Sequence, residues 1–303
     1  MKIPPQGTFS SGRYKDPHKL KAKIDSLIAA GVGQGSMEGY EPWLKIGSFA
    51  SQGASYVVPS MKCPRSHHFL SKSEYHFYLL QEFAADVLEI REQFPLINYG
   101  RTFQIAVEKG FKPSFYRNTT IPRVYTTDFM LTKVNAVGER YLSAVSIKSR
   151  KDHAKLAGTK RGLKRTIELA VIEKTYWDEI GVQWDTVFAE DLPVIRIKNI
   201  QTLKSHAQIK ASLCSDRLIN GILRFLHDIG LSAANEMTLK ALVRSVSKYI
   251  YMNYVDAFEL FMYMAWHKYV VVNINDYLIR VTKPLEIVSV RGELLSSTLS
   301  GAA

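Results

Sequence analysis

Residues 124–148 read VYTTDFMLTKVNAVGERYLSAVSIK, and this stretch decides the fold. VYTTDFML and RYLSAVSI are rich in β-branched and aromatic residues, and TKVNAVGE between them offers Asn135 and Gly138 for a tight loop. The stretch therefore predicts a β-hairpin. Upstream, residues 73–88 place Tyr75, Tyr78, Leu79 and Phe83 at helical spacing. Downstream, a helix is expected over 166–180, then a strand in VQWDTVFA. Nearer the start, a short helix fits residues 19–30 with the glycines of 31–35 as its terminator, and Pro42 keeps YEPWLKI a loop. Together these elements predict a mixed α/β domain with a mixed sheet over residues 18–200, preceded by a flexible basic arm at 1–17.

The remainder has another character. Helices are expected over 207–228, 238–249 and 256–267, and Leu239, Leu242, Val243, Val246 and Ile250 line one face of the middle one. YVVVNINDYLIRV then reads as two short strands about an Asn275–Asp276 turn. Three helices followed by a hairpin is the winged-helix order, so a smaller winged-helix-like domain is placed at 205–292, with a disordered tail at 293–303.

Composition narrows the function. The net charge of +12 over 303 residues favours a polyanionic partner without proving one. Cys63 and Cys214 form no ligand-spaced group and read as free thiols of a reducing cytoplasm. The first residues lack an apolar core for a secretory signal, and FMYMAWHKYVVV is too short to span a bilayer.

Chemistry is carried by scattered residues. Glu74 lies at the start of the first strong helix, Asp128 in the first strand of the hairpin and Lys148 at the end of the second. Two carboxylates can hold Mg²⁺ or Mn²⁺ at a phosphodiester, and a lysine can orient water or neutralise phosphate charge. Such a trio also arises by chance, and each member has a plain explanation. Ser71-Lys72-Ser73-Glu74 matches a capping box, Asp128 fits a solvated strand position and Lys148 an exposed strand end. Alternation puts Ser146 and Lys148 on one face, with Val145 and Ile147 on the other. His67 and His68 point apart in an extended segment, which favours structural or DNA-facing roles over metal. From Lys148 to Arg165 there are eight Lys/Arg and a single acid, Asp152. Arg150, Lys151, Lys155, Lys160, Arg161, Lys164 and Arg165 are candidates for the DNA backbone, or else a solvated face.

Read collinearly, GVGQG at 31–35, YEPWL at 40–44, HHFLSKSE at 67–74, VLEIREQFPL at 87–96, TTDF at 126–129, AVSIK at 144–148 and IEKTYW at 172–177 resemble the TnsA-type endonuclease subunits of heteromeric cut-and-paste transposons. The second domain shares only size and position with that family. The resemblance implies a restriction-endonuclease-like catalytic domain that hydrolyses the 5′ ends of the transposon with Mg²⁺. Glu74 and Asp128 are then metal-holding acids, Lys148 the catalytic lysine and Glu173 a further acid. Ser146 stands where the family carries glutamine and is a shorter, weaker oxygen ligand, so beside Ser146 the metal would lean on water or on the Ile147 carbonyl. The implied partners are transposon-end duplex DNA, a DDE-type transposase and an AAA+ ATPase regulator, at a bacterial nucleoid. Rival readings are a restriction or repair nuclease of the same fold, and a catalytically weak or dead DNA-binding assembly subunit.

Overall fold

The computed structural model describes residues 16–47, 54–151, 154 and 160–292. The expected tail at 293–303 and Lys155 lie outside them, as does the expected arm apart from Asp16 and Pro17. Two compact units divide between Leu192 and Pro193.

The first unit opens with α1 (Pro17–Ala29), whose first amide is capped by Asp16 and whose Pro17 is pre-set for a helix start. Leu20, Ile24 and Leu27 of its inner face pack with Val32, Trp43, Tyr116 and Val124. The chain then turns through GVGQG. Gly33 has φ +76°, and a Cβ on it would lie 2.0 Å from Pro95 Cγ, so only glycine lets this loop lie on REQFPL.

A small antiparallel pair follows, β1 (Tyr56–Pro59) with β2 (Ser66–Phe69), then α2 (Lys72–Phe83) and β3 (Val87–Pro95). The expected helix over 73–88 therefore ends early. Val87 and Leu88 start the strand instead, because β3 pairs with β4 (Thr126–Val134) from Val87 onward. Between them α3 (Tyr99–Glu108), not foreseen, packs Ile105 and Ala106 against Ile172. The hairpin of β4 and β5 (Arg140–Lys148) forms as the sequence predicts, with Asn135 and Glu139 closing its turn. The helix α4 (Lys160–Glu179) then returns the chain so that β6 (Gln183–Phe188) lies parallel to β5. The sheet order is β3-β4-β5-β6, a mixed four-stranded sheet. On its α4 side Leu96, Met130, Ala144, Trp177 and Val182 form a core. On its α2 side Phe129 meets the rings of Phe69 and Phe77.

The second unit begins with α5 (Val194–Lys204), a helix the sequence reading did not foresee and across which it drew the end of the first domain. It continues through α6 (Asp216–Ile229), α7 (Leu231–Glu236), α8 (Leu239–Tyr249) and α9 (Tyr254–Trp266). The first of the expected helices thus starts at Asp216, not 207. The terminal hairpin also differs: β7 (Val270–Val272) pairs with β8 (Ile287–Val290), not with Tyr277–Val281. The reason is Asn199 of α5. Its side chain, 1% exposed, donates to the carbonyls of Ile274 and Tyr277 and accepts from Ile279 N, which takes those backbone groups out of any ladder.

Candidate active site

Apart from a bulge between Val87 and Glu89, the β3–β4 ladder is interrupted at one rung, and the candidate residues gather there. Along β3 and β4 the register runs Glu92↔Phe129 and Phe94↔Thr127, and the rung between them, Gln93 opposite Asp128, is unpaired. Gln93 has φ +49°, a left-handed conformation rare for any residue inside a strand. The side-chain alternation slips on both strands at this rung. Glu92 faces Arg65 and His67 while Phe94 meets Trp177 on the other side; Phe129 faces Phe77 while Thr127 bonds Trp177. The β4–β5 ladder also stops here, its last pair being Phe129↔Val145. Beyond it the Asp128 carboxylate takes over, accepting from Ile147 N at 2.6 Å.

Glu74 reaches the same region from the first turn of α2. The Ser71 cap accepts from Glu74 N (3.1 Å), the serine half of the capping box expected from the sequence, while the Glu74 carboxylate reaches back to Leu70 N rather than to Ser71 N. The carboxylate of Glu74 accepts from Leu70 N (3.0 Å), Ser71 Oγ (2.8 Å) and Gln93 Nε2 (3.2 Å). Capping and a further role for Glu74 are therefore compatible. Burial raises the pKa of Glu74, the bonds from Leu70, Ser71 and Gln93 opposing it. At Asp128, desolvation of the carboxyl comes first. The charges of Glu74 and Glu173 add to it, and the pKa is pushed up to about 7 against the pull of Lys148 and the Ile147 N–H. These acids are close enough to repel one another, a grouping that a neutral core would have no use for.

Glu173 and Ser146 lie on the α4 side. Glu173, buried, accepts from Thr127 Oγ1 (2.7 Å) and from Ser146 Oγ (2.5 Å), and Trp177 Nε1 donates to Thr127 (2.7 Å). The Ser146 hydroxyl is thus engaged by Glu173. Lys148 ends β5 opposite Phe188 of β6, half-buried, with its charge acting on Asp128. Among the described residues no group of three or more His, Cys, Asp or Glu side chains is placed to hold a metal. The donors present are the two hard carboxylates of Glu74 and Asp128, a set that suits Mg²⁺, which keeps several waters and takes one or two carboxylates.

Below the site, Glu92 of REQFPL is fully buried. Arg65 binds it in a fork (2.9 and 2.8 Å), His67 Nδ1 lies 2.6 Å away and His68 N donates at 3.0 Å. Tyr40 OH holds the Glu92 carbonyl, and Arg65 sits over the Tyr40 ring. The sequence reading missed this network and Gln93 alike. Of the two roles expected for His67, the structural one matches its position.

The basic candidates separate. Arg150 forks onto Asp191 and stacks on Phe188, while Glu190 accepts from Ser149 Oγ and from the amides of Arg150 and Lys151. Arg165 bonds the Lys112 carbonyl, Glu168 and Ser114, tying α4 to the 112–114 loop. Lys164 lines a cleft of about 420 Å³ beside Lys112. Lys160 and Arg161 open α4. No helix among the described residues is long and apolar enough to cross a membrane.

Comparison with known proteins fits this geometry. Residues 84–188 match the family described as TnsA-like endonuclease N terminal. That stretch holds Asp128, Ser146, Lys148 and Glu173, and begins after Glu74. The chain is 32% identical over 185 residues to the Transposon Tn7 transposition protein TnsA of Escherichia coli, covering 61% of this chain and 63% of that protein. The likeness to TnsA-type transposon endonucleases read from the motifs is therefore real.

Proposed function

We propose that the chain is the endonuclease subunit of a DNA transposition complex, a metal-dependent hydrolase with a restriction-endonuclease-like catalytic domain that cuts the 5′ ends of the transposon. The observation that carries this is the opened rung, where Glu74 and Lys148 both act on the charge of Asp128, and Asp128 and Lys148 lie in the stretch that matches a TnsA-like endonuclease family. Glu74 and Asp128 would hold Mg²⁺ or Mn²⁺, which when bound polarises the phosphate and acidifies an attacking water. The residues' own work is positional. The Ile147 amide fixes one oxygen of Asp128, the Ser71 cap and Gln93 fix Glu74, and Lys148 supplies a positive charge where negative charge builds. Glu173 is a supporting acid that ties α4 to Thr127 and Ser146.

The partners proposed are transposon-end DNA, a DDE-type transposase that makes the 3′ cuts, and an AAA+ ATPase. The order α6, α8, α9, β7, β8, with Thr238 bridging Pro284, supports a winged-helix-like second unit. The helix that such a domain would lay in the major groove is α9. It carries Asp256 and Glu259 and no Lys or Arg, which favours a protein partner over DNA for this face. The test is a reconstituted complex with donor DNA, mapped for strand breaks in Mg²⁺. Asp128→Ala and Lys148→Ala should each lose 5′ nicks by about 10²-fold or more while 3′ nicks persist. Absence of 5′ nicks from wild type in both Mg²⁺ and Mn²⁺ overturns the reading.

A second reading, a catalytically weak or dead assembly subunit, draws on the Ser146 hydroxyl being occupied by Glu173. Cleavage that appears only in Ser146→Gln would support it.

A further inference from the structure

We infer that Gln93 is the positioning residue that sets Glu74 against Asp128, an inference that rests on the nuclease reading above. Among the described non-glycine residues with a left-handed φ, Gln93 is the one that lies inside a β-strand. Its side chain is 3% exposed, and both ends of its carboxamide are used. Oε1 accepts from Thr126 Oγ1 and Nε2 donates to Glu74 Oε2, each at 3.2 Å. Because a carboxylate only accepts, this bond fixes which end of the amide faces Glu74.

The other donors to Glu74 come from Leu70 and Ser71, at the entry of its own helix. The bond from Gln93 is different in kind, since it crosses from α2 to the sheet that carries Asp128. Gln93 also occupies the rung facing Asp128, the one the ladder skips. The left-handed turn in β3 is thus the device that brings a carboxamide to Glu74 at the level of the second acid. Strained backbone of this sort persists only where the surroundings over-determine it. Here the Gln93 carbonyl is itself held, accepting from Trp43 N at 3.3 Å.

A structural and a positioning role predict opposite results for Gln93→Gly, which relieves the left-handed φ while deleting the carboxamide. The full chain would be titrated with Mn²⁺ by electron paramagnetic resonance, melted thermally, and assayed for 5′ cleavage in the reconstituted complex. Gln93→Gly should keep a Tm at or above wild type, weaken Mn²⁺ binding about 10- to 100-fold and lower kcat with KM for DNA unchanged. Gln93→Asn tolerates the same backbone and returns an amide on a shorter arm, so it should recover part of the Mn²⁺ affinity. Wild-type Mn²⁺ affinity in Gln93→Gly overturns the inference, as does a lowered Tm that Asn restores without restoring affinity. If wild type neither binds Mn²⁺ nor cuts, the nuclease reading itself fails and this inference falls with it.

Discussion

Glu92 is an acid with no exposure, held between Arg65 and His67. Burial by itself would raise its pKa, but bonds from His67 and Arg65 and their charges override this and hold it at about 2, against an ordinary 4.5. The sign follows directly. The folded state binds this proton more weakly than the unfolded chain, so the stabilisation is complete above about pH 4.5 and drains away as pH falls toward 2. His67 contributes oppositely: burial works against its charge, yet Cys63 and Glu92 raise its pKa above 6.5, so its share is present below that value and fades as pH rises. Glu92→Gln should lose about 3–5 kcal/mol at neutral pH, because it leaves Arg65 buried without its counter-charge. Urea midpoints taken from pH 7 to pH 2.5 check this; the wild-type decline below 4.5 should be shallower in the variant. None of this was legible in the sequence. REQFPL displays Arg91 and Glu92 as a surface-like charge pair, whereas the partners of Glu92 lie 25 and 27 residues upstream, on β2 and just before it. Asp128 and Lys148 could be singled out by residue type. Gln93 could not, since nothing in its neighbours announces a left-handed φ inside a strand.

At the scale of elements, the hairpin of β4 and β5 was readable because its signal is local: alternating β-formers about an Asn–Gly-containing turn. The helix over 73–88 ran too long because its apolar spacing continues into Val87 and Leu88, and only pairing with β4 claims those residues for a strand. The second-unit hairpin failed for a similar reason, since Asn199 competes for the backbone of 274–279 from a different helix. Asn199→Ala should therefore cost roughly 2–4 kcal/mol, as one buried and two part-buried backbone groups lose their partner, and hydrogen exchange at the Ile279 amide should accelerate selectively. In the first unit, Gly33→Ala must both hold a left-handed φ and push a methyl into Pro95. A loss on the order of 2–4 kcal/mol is expected, read as a Tm drop, with 5′ cleavage per folded molecule falling as REQFPL shifts. Gly31→Ala, which keeps the φ penalty but meets nothing within 4 Å, separates strain from collision and should cost clearly less.

For the whole molecule, charge and composition favoured a polyanionic partner but did not say where one unit ends and the next begins. The sequence reading closed the first domain at residue 200, in the middle of α5, a helix it did not foresee. The packing of α5 decides otherwise. Its Ile197, Ile200 and Leu203 are buried, and the helix belongs with the unit that starts at Pro193. Two truncations separate these boundaries. A fragment ending at residue 192 keeps β3 to β6 with α4 and the Glu190–Asp191 contacts to Ser149 and Arg150. It should melt in one cooperative transition and stay monodisperse on size exclusion. A fragment ending at 204 carries α5 stripped of the helix α9 it packs against, so three large apolar side chains face water. That fragment should self-associate at concentrations where the shorter one does not, while Ile197→Glu within it should restore a monodisperse peak. Equal solution behaviour of the two would mean that α5 belongs to the first unit after all. Added in trans to the transposase and ATPase, the 1–192 fragment should fold yet fail to join the complex, which assigns recruitment to the second unit; normal 5′ cleavage by that fragment would refute the assignment.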